Sequence, residues 1–256
     1  MLGREGSHRV DAHRRVPPGE QTDTNRQRQA VQPNGLFRVD TDQRIVALTL
    51  DDGPDPAHTP YVLDLLHRAK VGATFFCVGV NAAFSPELVR RTVGEGHGIG
   101  NHTYNHRELQ LMSPVQVQRE IERGQRALVD IGIVRPDLFR PPKGFTDSIV
   151  GVLADADRFQ TVFWDLCVER FVNRESVTDG VRSLLNEVRP GSIILAHDGG
   201  RIVGSGRPPL SRAKTMEALP MLLRGLHRDG YEVVDVATLL TRTTTSLRPG
   251  ASIVGE

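Results

Sequence analysis

From Leu36 onward, apolar residues collect into two kinds of segment that alternate along the chain. One kind is short and nearly continuous: "RIVALTL" (44–50), "ATFFCVG" (73–79), "HGIGNH" (97–102), "LFRPPKG" (138–144), "FQTVFW" (159–164), "GSIILAHDGG" (191–200) and "YEVVDV" (231–236). Their lengths and their β-branched and aromatic content predict seven strands. The other kind spaces its apolar residues three and four apart, over 58–70, 85–96, 113–132, 146–156, 175–188 and 215–230, and predicts helices. Ser85-Pro86 and Ser113-Pro114 are cap and first-turn signals, Thr146 is a further cap, and Gly94 marks an exit. Strands alternating with crossover helices predict one parallel α/β domain. Runs apolar at every residue predict burial of both sheet faces, as in a barrel, with an open doubly wound sheet as the competing architecture.

The first 34 residues break this pattern. They are polar, rich in Arg and Gln, and without aliphatic periodicity, so 1–34 reads as a disordered tail. They also lack the apolar stretch of a secretory signal. The folded part is expected over 35–242, with 243–256 as a C-terminal tail. Across all 256 residues the net charge is only +1, which gives no bias toward nucleic acid or anionic membrane. No segment is apolar for the length of a membrane span. Two cysteines, Cys77 and Cys167, are too few for a disulfide framework and read as buried free thiols.

Unusual polar residues gather at the C-terminal ends of the predicted strands: Asp51 and Asp52, His102 and His106, Arg140, Asp165, and His197 with Asp198. In a parallel barrel that end carries the active groups, so five strands delivering polar residues to it mark a site. Two histidines four apart plus one carboxylate suit a catalytic metal with an open position for water. A second carboxylate beside it can accept a proton from that water, and Arg140 and the cation offset the repulsion within the pair. His197, from another strand, is placed to protonate a leaving group. The spacing describes metal-assisted hydrolysis of an unspecified substrate. His58, His67, His97 and His227 have no metal-like partners and read as surface residues. Trp164 reads as strand core before groove lining. "GGRIVGSGRPP" (199–209) lacks the Lys-Ser/Thr of a phosphate loop and reads as a flexible loop flanking the groove.

"TLDDGP", "HTYNH", "RPPKG" and "LAH", in this order and at these intervals, resemble the polysaccharide deacetylases, the fourth carbohydrate esterase family. The resemblance runs from about Arg44 to Leu240 and includes "ATFF", "EALP" and "GYEVV". It implies a single-domain distorted (β/α) barrel of seven to eight strands and an N-deacetylase acting on N-acetylated glycans. It makes Asp51 the general base, and Asp52, His102 and His106 the ligands of a divalent metal, zinc before cobalt or nickel. Arg140 would pair with the base, His197 would be the acid, and the backbone N–H of Lys143 would serve the oxyanion. It further implies a cell-wall or extracellular location; a monomer is expected. The chain departs from the family at Leu50, usually Phe, and at Lys143, usually aromatic. It departs most at Cys167, Arg170 and Phe171, where the family has Asp, Asp and Trp. The aspartate missing at position 170 is the one that charges the acid histidine. Arg170 near His197 would lower its pKa, and Asp165 or Glu169 are the candidate substitutes. Those departures leave two alternatives open: acetyl-ester or small amide substrates, and a non-catalytic glycan-binding protein.

Overall fold

Ile45–Asp51 (β1) forms the axis of the sheet in the computed structural model, which describes residues 35–134, 136–144 and 148–244. The chain continues through Thr59–Ala69 (α1), Thr74–Cys77 (β2), Gly79–Phe84 (α2), Pro86–Gly94 (α3) and Gly98–Asn101 (β3). Pro114–Asp130 (α4), Leu138–Phe139 (β4), Ser148–Ala156 (α5), Gln160–Thr161 (β5) and Leu166–Cys167 (β6) follow. Val168–Val172 (α6), Val177–Glu187 (α7), Ile193–His197 (β7), Ala213–Arg228 (α8), Glu232–Val234 (β8) and Val236–Thr244 (α9) complete the series. All strand pairs are parallel, in the order β5-β4-β3-β2-β1-β7-β6, with β8 beside the first half of β1. The sheet curls into a distorted barrel, a single α/β domain. Residues 36–39 bind both sides of its gap, Leu36 bridging to Val162 and Arg38 to Ser192.

The continuous burial of β1 resolves into two faces of period two. Val46, Leu48 and Leu50 pack outward against α1, α7 and α8. Ile45 and Ala47 face inward with Phe76, Leu138, Val162 and Ile193, joined by Val236 and Leu239 of α9. Thr49 and Asp51 continue that inner row, so the last position of β1 delivers a carboxylate to the mouth of the barrel.

The seven expected strands become eight because the pair Leu166–Cys167 hydrogen-bonds beside β7. The helices α2, α6 and α9 are additions too. The strands expected over 138–144 and 159–164 shrink to two residues each. Pro141 and Pro142 supply no N–H to a ladder, which ends β4. Of the caps, Ser113 forms a full capping box with Gln116. Ser85 occupies its cap position without a side-chain hydrogen bond, and Thr146 lies outside the described residues, as do the expected tail 1–34 and most of 243–256. Helix α9 carries ordered backbone through Thr244, past the expected boundary at 242. His97 is buried against Phe75, ring centroids 5.6 Å apart, rather than on the surface. His58 is half-buried and pairs with Asp55, while His67 and His227 are exposed as expected. Both cysteines are free, Cys77 buried and Cys167 partly so. No helix among the described residues is long and apolar enough to cross a membrane.

Candidate active site

Arg140, the residue after β4, is fully buried and spends every donor it directs inward. Its Nη1 donates to Asp51 Oδ1 (2.7 Å) and Thr49 Oγ1 (2.9 Å), Nε to the Val162 carbonyl and Nη2 to the Phe163 carbonyl. The guanidinium lies over the Phe76 ring at 4.1 Å, with the half-buried Trp164 ring at 5.4 Å. Burial pulls its pKa down, and the Asp51 carboxylate opposes that pull.

Asp52 leaves the strand at φ 73° and turns its side chain beside Asp51. Thr103 and His106 also hold positive φ, 64° and 53°, which folds the loop after β3 back onto the turn. Non-glycine residues in that region cost about 1–3 kcal/mol each and collect at functional sites. His102 Nδ1 stands 2.7 Å from the Arg140 carbonyl, an acceptor only, so Nδ1 carries the proton and Nε2 is free. That Nε2 lies 3.6 Å from both Asp51 Oδ2 and Asp52 Oδ1, and His106 Nε2 is 3.1 Å from Asp52 Oδ1. One ligand atom from each of Asp52, His102 and His106 lies within 4.8 Å of the other two, the only such group among the described residues. Asp52 Oδ1 is buried yet accepts no hydrogen bond, an open valence that a divalent cation would satisfy. Burial would raise the Asp52 carboxyl, but His102 and His106 hold it well below the usual carboxylate range.

The other Asp52 oxygen is already engaged. Arg212, just before α8, gives Nη2 to Asp52 Oδ2 at 2.7 Å and Nε to the Gly199 carbonyl at 2.6 Å. Sequence reasoning missed Arg212: it stands in a polar stretch with no motif spacing, 160 positions from its partner. Gly199 is itself required here, since a Cβ would sit 2.1 Å from the Asp52 carbonyl carbon. Asp198 is fully buried, accepts from Thr59 Oγ1 at 2.5 Å, and is pushed up to about 7 by burial and by the charges of Asp52 and Asp51.

His197, ending β7, stands beside this cluster as the register partner of Asp51 on the neighbouring strand. Its Nδ1 lies 3.1 Å from Glu169 Oε2 on α6. Glu169 Oε1 accepts from the His197 backbone N–H (3.1 Å) and the Thr215 hydroxyl (2.7 Å). Burial lowers the His197 pKa, but Glu169, with Asp52 and Asp51 behind it, outweighs burial and leaves it raised. The expected depression by Arg170 does not occur: Arg170 is exposed and the His197 pKa is raised. Asp165 also leaves the site, its carboxylate held by Ser192 Oγ and the Ile193 N–H. Cys167 packs beside Glu169, its thiol pushed up to about 12 by burial and by that carboxylate. Phe171 joins the outer core. Lys143 sits at φ 61° with its ammonium on Glu108 at the rim, and Trp164 lies under Gly144. The 199–209 loop is anchored rather than loose: Asn81 binds Arg201 and Val203, and also the Asp52 carbonyl.

The fold and site define a parallel α/β barrel with a carboxylate–imidazole cluster at the strand ends. The family described as polysaccharide deacetylase matches residues 38–161. A peptidoglycan-N-acetylglucosamine deacetylase of Bacillus cereus is 36% identical over 83% of this chain and 97% of its own. A chitooligosaccharide deacetylase of Bradyrhizobium is 37% identical over 74% of this chain and 88% of its own. The solved peptidoglycan deacetylase PdaC of Bacillus subtilis superposes with a TM-score of 0.67 at 30% identity, over 84% of this chain and all of that one. The chain belongs to the polysaccharide deacetylase family.

Proposed function

We propose that this chain, through a catalytic domain over about 35–242, hydrolyses N-acetyl groups of amino-sugar glycans such as peptidoglycan, chitin oligomers or exopolysaccharide. The observation that carries the proposal is the convergence of Asp52, His102 and His106 between the Asp51–Arg140 pair and the Glu169-backed His197. Asp52, His102 and His106 would hold a divalent cation, zinc before cobalt or nickel, whose positive charge would polarise the acetyl carbonyl and acidify water.

Asp51, oriented by its hydrogen bond from Arg140, takes one proton as water adds to the carbonyl carbon. The Lys143 backbone N–H would steady the oxygen that gains charge. His197, held protonated by Glu169, gives its proton to the sugar nitrogen as the C–N bond breaks. Acetate and a free amine leave, with Trp164 lining the groove. The names of the relatives support a cell-wall or extracellular location, and the proposed working unit is the monomer. Acetate release from N-acetylglucosamine oligomers and peptidoglycan, with metal supplied, tests the proposal against Asp51→Asn. Loss of general-base work predicts a fall of about 10²–10⁴-fold; equal rates in both proteins would sink it. Lys143 at the rim favours one second reading, an acetyl-ester or small-amide substrate, which acetyl-xylan and cyclic imides in the same panel would expose.

A further inference from the structure

Beside the cluster lies a pocket of about 420 Å³ that shares His106 as a wall. Three separate segments build it: the loop after β3 with Arg107 and Glu108, the turn carrying Lys143, and the 199–209 loop with Arg207. Lys143 is neutralised by Glu108. Among the described residues Arg107 and Arg207 form no ion pair, and Arg207 acts on Glu108 only at longer range. Three cations against one carboxylate leave two positive charges in excess in a recess that shares His106 with the cluster.

The recess is built rather than incidental. Asn81 ties the 199–209 loop to the Asp52 turn, so the loop's position is coupled to the metal cluster. A Ser205 turn then presents Arg207, its hydroxyl bonding the Ile202 carbonyl and accepting the Arg207 N–H. Guanidiniums from two separate segments, with Leu111 and Ile202 lining the same recess, suit a carboxylate borne on a sugar ring. Because His106 belongs to both, such a group would lie beside an N-acetyl group held at the cluster.

We propose that the pocket walled by Arg107 and Arg207 is a subsite for a carboxylate-bearing sugar, so that the enzyme prefers anionic N-acetylated glycans to neutral ones. This rests on the deacetylase reading above. The probes are peptidoglycan glycan strands freed of peptide, whose N-acetylmuramic acid carries a lactyl carboxylate, and the same strands with that carboxylate reduced to the alcohol. The two share shape and differ in charge. Wild-type protein should favour the native strand by about tenfold in kcat/KM through KM, as expected for charge-assisted contacts at a partly exposed site. About 0.5 M NaCl should erase most of that preference. The double variant Arg107→Gln/Arg207→Gln should bring the native-to-reduced ratio close to one. Equal wild-type rates on both strands, or a ratio the double variant keeps, overturns the subsite and leaves the deacetylase reading standing. Release of acetate from neither strand nor from chitin oligomers overturns both.

Discussion

Replacing Glu169 with Gln removes the one carboxylate within 3.1 Å of the His197 ring while keeping an oxygen for the His197 N–H and the Thr215 hydroxyl. An opposite charge this close shifts a titrating group by about 1–3 pKa units. The two side chains are only 21% and 14% exposed, so solvent screens the pair incompletely and the carboxylate still favours the protonated ring; loss of effective acid assistance should cost about 10²–10⁴-fold in rate toward alkaline pH. The sign follows from the role. His197 must be protonated to act as an acid, and Glu169 holds its pKa raised. Losing Glu169 lowers it, and activity disappears at a lower pH than before. The assay is kcat/KM for acetate release across pH, which reports groups of the free enzyme. Its alkaline limb should move to lower pH, and Asp165→Asn should leave it in place. An unmoved limb in Glu169→Gln, or a shift in Asp165→Asn instead, refutes the assignment of Glu169 as the partner of His197.

The metal cluster makes two further predictions. Arg212→Gln releases Asp52 Oδ2 from its cation, and loss of such an outer partner weakens metal binding by about 10–100-fold; competition against a chromophoric chelator should show that loss, and unchanged affinity would exclude Arg212 as a positioning residue. Zinc at about 100 times its dissociation constant should stabilise the protein by about 2.7 kcal/mol, raising Tm by about 5–10 °C for a domain of this size. Chelation should reverse the gain, and His102→Ala should abolish it. A wild-type Tm that ignores zinc contradicts the ligand set.

Most of the frame was legible because it is local. The apolar run of β1 predicts its burial, and the Asp51-Asp52 pair at its end needs only the rule that parallel strands deliver function at their C-terminal ends. Where elements are two residues long, no period exists to read: β6 is invisible as a pattern, and β4 and β5 look longer in sequence than their hydrogen bonds allow. His97 misled for a related reason, since its burial comes from a ring on a neighbouring strand.

The sequence by itself determined the alternation of strands and helices, the residues at the strand ends, and the donor types able to hold a metal and move a proton. Only the tertiary structure decided among the acids near His197. Asp165, Glu169 and Arg170 lie within six residues, and the short α6 after a two-residue strand turns Glu169 inward, Arg170 to solvent and Asp165 toward Ser192. Only the tertiary structure brought Arg212 to Asp52 and Asn81 to the 199–209 loop. Those contacts join residues up to 160 positions apart, and a pairing across such a distance leaves no periodicity in the chain. It exists only once the barrel has closed around it.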